Sequence, residues 1–218
     1  DRVYGPETNA NSDAPFDAES NGFVNWYTAK NQEEAYQFFT NHEEYGSGVN
    51  YAQTFVTASQ DETVILRIGS GSAFKLWLND VVIFENKQDV VTDLDAYQVK
   101  VTFPKGNNRL LIKTAESDYG SYFIVSPLNL DGSHNTNLKD TASYADYNKS
   151  TVSQLNAKPI TNSFEAYFLN KLDQNPNNFF NAYCLVKTYL RNSKYEEAKK
   201  VLQPFLEQYP KSSLLRKL

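Results

Sequence analysis

Between Phe23 and Pro127 the apolar residues return at every second position, and that period confines the stretch to β-structure. The runs Val64-Ile65-Leu66-Arg67-Ile68, Phe74-Lys75-Leu76-Trp77-Leu78, Tyr97-Gln98-Val99-Lys100-Val101-Thr102-Phe103 and Arg109-Leu110-Leu111-Ile112-Lys113 each have one apolar and one polar face, as half-buried strands do. Gly69-Ser70-Gly71-Ser72, Asn79-Asp80 and Pro104-Lys105-Gly106-Asn107-Asn108 separate them with residues that accept positive φ or preset a turn. Many short strands with no helical period between them predict an antiparallel sandwich rather than a parallel α/β sheet. Asn31 to His42 reads either as a helix starting at Asn31 or as one more strand.

The flanks have a different texture. Residues 1–22 are rich in Asn, Asp, Ser, Pro and Gly without periodicity and read as a lead-in loop. Residues 128–160 turn polar again and read as a connector with room for one short helix. After Pro159 the period becomes helical, with Phe164, Phe168 and Leu172 at four-residue steps. The expected organisation is a lead-in loop over 1–22, a β-sandwich over 23–127, a polar connector over 128–160 and a helical region over 161–218.

Within that last region the chain repeats itself at an offset of 34: Phe164 answers to Ala198, Phe168 to Leu202, Leu172 to Leu206 and Pro176 to Pro210. Ala182, Leu185, Val186 and Tyr189, then Tyr195, Ala198, Leu202, Phe205 and Pro210, resemble the tetratricopeptide pattern position by position. A small residue at Ala198 suits a close helix crossing, and Pro210 ends a helix because it has no amide to donate. Two positions depart from the pattern. Phe164 stands where a small residue belongs, and Pro204 lies inside the second helix. Leu214 and Leu215 resemble the start of a further first helix, so more repeats are expected to follow in a longer parent protein.

The net charge of −5, from 21 Lys and Arg against 26 Asp and Glu, argues against nucleic acid as a partner, because neutralising a phosphate backbone needs a cationic excess. No run approaches the ~20 apolar residues that span a bilayer, so no membrane insertion is expected within this chain. A chain that begins at Asp1 and contains no Met is expected to lack its natural start, with any export signal upstream. Cys184, the single cysteine, excludes an internal disulfide and reads as a small apolar residue. With 15 Tyr, 14 Phe and 2 Trp the chain has the apolar area a core needs.

The stretch NYAQTFVTASQDETVILRIGSGSAFKLWLNDVVIFENKQDV, then DAYQVKVTFPKGNNRLLIKTA and SYFIVS, resembles the galactose-binding-like jelly roll of carbohydrate-binding modules and accessory domains of bacterial glycoside hydrolases. LWLND followed by an apolar strand, and PKGNNRLLIK, occupy the places of that family's characteristic hairpin and strand. A sandwich followed by tetratricopeptide units also resembles multidomain proteins of Bacteroides-type bacteria with transglutaminase-like later regions. These resemblances imply an exported, non-catalytic accessory region: an antiparallel jelly-roll β-sandwich followed by a short tetratricopeptide-like helical region. Its partner would be a glycan or a protein, besides further domains of its own parent chain. The alternative is a purely architectural scaffold with no small-molecule ligand.

Alternation turns Val64, Leu66, Ile68, Phe74, Leu76, Leu78, Val99, Val101, Leu110 and Ile112 to the core. The opposite phase presents Arg67, Lys75, Trp77, Gln98, Lys100, Arg109 and Lys113. An indole flanked by hydrogen-bond donors suits a sugar, so Trp77, Lys75, Arg67, Arg109, Lys113 and Gln98 are the expected ligand contacts. Long cationic stems also shield an exposed Trp, and the helices could bury the same face. Trp26 reads as core or edge filler. Asp89, Asp93 and Asp95 offer oxygen ligands for a structural Ca²⁺, and no other cofactor is implied. Only His42 and His134 could serve as bases at neutral pH. Neither belongs to a recognisable catalytic motif, no carboxylate pair is marked by spacing, and GSGSAF joins two strands instead of opening a helix, so no enzyme is expected.

Overall fold

The computed structural model describes residues 2–18, 22–29, 36–39, 48–116 and 122–218. In chain order the elements are α1 (Gly5–Thr8), β1 (Phe16–Asp17), β2 (Phe23–Val24), β3 (Gln37–Phe38), β4 (Gly48–Ala58), β5 (Glu62–Ser70), β6 (Ala73–Leu78), β7 (Val81–Asn86), β8 (Tyr97–Phe103), β9 (Gly106–Glu116), β10 (Tyr122–Leu128), β11 (Lys139–Thr141), α2 (Val152–Leu155), β12 (Lys158–Ile160), α3 (Ser163–Gln174), α4 (Phe179–Arg191) and α5 (Tyr195–Gln208). Most of the Asn31–His42 stretch lies outside the described residues, as does His42. The part described supplies β3.

Two five-stranded antiparallel sheets stack face to face. The first has the order β12-β8-β5-β10-β3 and the second β11-β4-β9-β6-β7. With the two outer additions removed, strands β3 to β10 alternate between the sheets in jelly-roll fashion, except that the β6–β7 hairpin stays within the second. Alternation holds along the inner faces. Val64, Leu66 and Ile68 of β5 meet Val99, Val101 and Phe103 of β8 on one side, and Val56, Phe74, Leu76, Leu78 and Ile112 on the other, all buried. Each such side chain contributes about 1.5–3 kcal/mol by leaving water.

The turns follow from their residues. Asn79 and Asp80 both have positive φ, 49° and 66°, which gives the doubly left-handed turn whose twist matches a two-residue hairpin between β6 and β7. The Asn79 amide donates to Asn108 Oδ1 at 2.7 Å and to Ser150 Oγ at 3.0 Å, and its oxygen accepts from the Arg109 amide at 2.8 Å. Gly69 permits a close approach: a Cβ there would lie 2.3 Å from the Asp93 carbonyl.

The polar stretch over 128–160 is a structural part of the sandwich. Lys139–Thr141 pairs with Phe55–Thr57 of β4, and Lys158–Ile160 pairs with Gln98–Lys100 of β8. α2 begins with a capping box, Thr151 accepting from the Gln154 amide and Gln154 from the Thr151 amide, and drives Leu155 fully into the core. Their Asn- and Ser-rich composition hides these edge strands because an edge buries too little of each residue to require apolar alternation.

The helical region has its own core of Ala182, Leu185, Val186 and Tyr189 from α4 with Ala198, Leu202 and Phe205 from α5. α5 runs through Pro204, which sits on its exposed side, where water can satisfy the freed carbonyl. The 34-residue correspondence breaks in burial at its first pair. Phe164 is 59% exposed while Ala198 is 3% exposed, and α3 buries Glu165 instead. Leu215 joins the helical core from a 3-10 turn over Leu215–Lys217, and Leu214 stays exposed. No helix among the described residues is long and apolar enough to cross a membrane.

Because Leu155 fills the sandwich from within the polar stretch, Leu155→Ala should lower unfolding free energy by about 2–5 kcal/mol in denaturant titration. A loss under about 0.5 kcal/mol would mean that α2 is a surface ornament.

Candidate functional site

The six expected ligand contacts divide between opposite outer faces of the sandwich. Arg67 and Gln98 are cross-strand partners in the first sheet, whereas Lys75 and Trp77 of β6 and Arg109 and Lys113 of β9 belong to the second. Stacked sheets lie about 10 Å apart, so these side chains point away from one another and cannot close on one ligand. Trp77 is moreover 8% exposed and Arg109 only 1%. The expected open sugar-binding plate is a covered face.

Its cover is the segment read as a lead-in loop. Arg109 Nη2 donates to the Pro6 carbonyl at 2.6 Å, and Arg109 Nε and Nη2 both reach Gln53 Oε1, at 3.0 and 2.8 Å. Lys113 Nζ lies 2.8 Å from Glu7 Oε1 and donates to the Arg2 carbonyl, and Tyr51 donates to the same Glu7 oxygen at 2.6 Å. Gln53 Nε2 completes the attachment through the Ala10 carbonyl at 3.2 Å. On the other flank, Tyr144 and Tyr147 pack against buried Phe55, and Tyr147 donates to Asp80, which also pairs with Arg109 at 3.4 Å. Burial pushes the Glu7 carboxyl up, but hydrogen bonds from Lys113 and Tyr51 and the Lys113 charge outweigh it and hold it below its ordinary value. Burial and the bond to Glu7 push the Tyr51 hydroxyl far up, so it stays a donor.

The three aspartates expected to hold Ca²⁺ do not converge. Asp93 Oδ2 lies 2.9 Å from Arg191 Nε, the Asp93 amide donates to Asn192 Oδ1 at 3.0 Å, and the Asp95 carbonyl accepts from the Asn162 side chain. Asp89 is exposed, and no cluster of three metal-ligating side chains occurs among the described residues. An acidic loop whose polar groups bind helix ends has a structural use instead. The loop is clamped to the helical region, with Ser193 Oγ adding a bond to the Val91 carbonyl at 3.1 Å.

This clamp creates a concave site that the sequence does not mark. A groove of about 340 Å³ runs between β7, β8 and β12 of the sandwich and the start of α3. Phe84 and Tyr97 give it an aromatic wall, their centroids 5.3 Å apart and Phe84 stacked on buried Phe74 at 5.7 Å. Gln98, Asn162 and the pair Glu165–Lys194 provide the polar wall. Lys194 Nζ lies 2.6 Å from Glu165 Oε1 and about 6.0 Å from the rings of both Tyr97 and Tyr189. Gln98 Nε2 donates to Ser163 Oγ at 3.3 Å, and Asn162 Oδ1 caps α3 by accepting from the Phe164 amide at 2.9 Å. Burial, then the Glu165 charge, raise the Tyr97 hydroxyl, which stays protonated at neutral pH. Of the six expected contacts only Gln98 lines this groove. Tyr97 and Phe84 sit on the apolar phase of their strands, where nothing in the sequence sets them apart from core residues. A second hollow, of about 220 Å³ between the sheets, is lined mostly by apolar side chains such as Val56, Leu66, Phe103, Leu110 and Val125. His134 is exposed and touches neither.

Since Trp77 is buried, Trp77→Ala should cost about 3–5 kcal/mol of stability in chemical denaturation; an unchanged midpoint would return Trp77 to the surface. Glu7→Gln leaves the buried Lys113 charge unpaired and should cost about 3 kcal/mol at neutral pH. The folded-state pKa of Glu7 is depressed, so its contribution is complete above the unfolded value of about 4.3 and is lost as pH falls through the lower folded value. Melting temperature below pH 4.3 should therefore drop less in Glu7→Gln than in the parent; parallel pH profiles would refute this anchoring role.

The chain matches no protein-family model and no curated protein. Among solved structures it is similar to a family 35 carbohydrate-binding module from an environmental isolate, at 15% identity and a TM-score of 0.30, over 49% of this chain and 79% of that one.

Proposed function

We propose that this chain is a non-catalytic binding module that takes a neutral carbohydrate in the groove between the sandwich and α3. The observation that carries the reading is the pairing, in one concavity of about 340 Å³, of the Phe84 and Tyr97 rings with the amides of Gln98 and Asn162. Ligand sites are concave, largely apolar and oriented by a few placed polar groups, and a sugar offers an apolar C–H face to a ring and hydroxyls to amides. Among the described residues Glu165 is the one carboxylate lining the groove, and Lys194 holds it, so the two-carboxylate arrangement of glycoside hydrolysis has no counterpart among them.

We read α4 and α5 as one tetratricopeptide-like unit. The resemblance of the sandwich to carbohydrate-binding jelly rolls supports placing the chain, as an accessory region, in a larger exported protein. The clamp of Asp93 on Arg191 and Asn192 favours a second reading, in which sandwich and helices form a fixed architectural scaffold. A glycan array followed by titration separates the two. Binding that Thr161→Trp, which fills the groove, weakens at least about tenfold, or ~1.4 kcal/mol, supports the first. Absence of any glycan ligand, or binding that the variant leaves intact, removes it and leaves the scaffold.

A further inference from the structure

On the outer face of the first sheet, whose Gln98 and Ile160 also line one side of the groove, positive charge collects with no counter-charge among the described residues. Across one row, Lys158 stands opposite Lys100, Lys100 opposite Ile65, and Ile65 opposite Leu128. In the next row on the same face, Ile160 stands opposite Gln98, Gln98 opposite Arg67, and Arg67 opposite Ser126. Directly opposed residues have Cβ atoms about 5 Å apart, and like charges so placed destabilise a sheet. Arg67 is the diagonal neighbour of Lys100 on the adjacent strand, about 7–8 Å away. No acid among the described residues pairs with any of the three cations. Arg67 Nη2 has one long bond, 3.4 Å, to Ser126 Oγ, and Arg67 Nε is buried with no acceptor. Strands β5, β8, β10 and β12 turn no Asp or Glu to this face, although the chain carries 26 acids against 21 bases.

We infer that this face docks an acidic peptide segment of a partner protein. Two lysines held in mutual repulsion and a guanidinium with free donor capacity are relieved together by carboxylates, the guanidinium in two-point fashion. The cations flank half-buried Ile65, Ile124 and Leu128, which accept apolar side chains that an acidic polysaccharide does not have. Three cations on a chain of net charge −5 are too few for nucleic acid, and fewer than the clusters that hold a protein to an anionic membrane. None of the three cations lines the groove, so the inference stands or falls independently of the carbohydrate reading.

The test is fluorescence anisotropy with a labelled peptide of repeated Glu-Glu-Leu-Gly units, against its Gln-for-Glu counterpart, polygalacturonate, a short DNA duplex and phosphatidylserine vesicles. The acidic peptide should bind, the Gln peptide should not, and added salt should weaken the complex. The triple variant Arg67→Gln, Lys100→Gln, Lys158→Gln should lose at least about tenfold in affinity. Lys158→Gln, an exposed change on an edge strand that leaves the fold intact, should lose about threefold, so that binding is tested even if the triple variant is unstable. Failure of the acidic peptide to bind, equal affinity in the variants, or binding of polygalacturonate, DNA or vesicles in its place overturns the inference.

Discussion

Two cations on one strand organise this molecule. Arg109 and Lys113 project from β9 onto the outer face of the second sheet, and both are almost wholly removed from water. A guanidinium and an ammonium in that position are expensive unless every donor finds an acceptor. The acceptors come from distant parts of the chain: the Arg2 and Pro6 carbonyls and the Glu7 carboxylate from the N-terminal segment, Gln53 from β4, and Asp80 from the β6–β7 turn. Satisfying these two residues therefore fixes where residues 2–12 lie, half-buries Tyr51, and turns the outer face of this sheet into a second buried layer. That leaves the edges and the other sheet as the surfaces from which function is built.

The edge of that other sheet is where the helical region attaches, and the attachment is polar. Arg191, Asn192 and Ser193, at the end of α4, bind Asp93 and Val91, while Asn162 ties the start of α3 to Asp95. The loop over 87–96 can approach β5 this closely because Gly69 has no side chain. The groove is a by-product of this docking: β8 supplies Tyr97 and Gln98, β7 supplies Phe84, and the helices supply Asn162, Glu165 and Lys194. Neither half holds the site alone, so any ligand there would strengthen the junction by binding only the docked state.

Alternation identified β5, β6, β8 and β9 and assigned their inner residues, because a period of two follows from the pleat and survives in any surroundings. The same reasoning turned Trp77, Arg109 and Lys113 outward, which is where they point. Reading outward as exposed was the step that did not follow. Alternation reports direction relative to one core and is silent on whether a remote segment returns to cover the far face. For Asp93 and Asp95 the residue type marked a loop wanting partners, and a cation and helix ends proved as suitable as a metal.

By itself the sequence determined the antiparallel strands, the hairpin at Asn79-Asp80, the change to helical period after Pro159 and the apolar faces of α4 and α5, since each depends on neighbours within a few residues. Tertiary structure alone decided that residues 2–12 cover one face of the sandwich, that strands from 139–160 extend its sheets, that the six polar candidates split between two faces, and that Phe84 and Tyr97 share a groove with Lys194. The physical reason is one of range. Backbone sterics and side-chain periodicity act locally and leave a mark on composition, whereas the pairing of a buried cation with a carboxylate 106 positions away leaves none until the chain has closed upon itself.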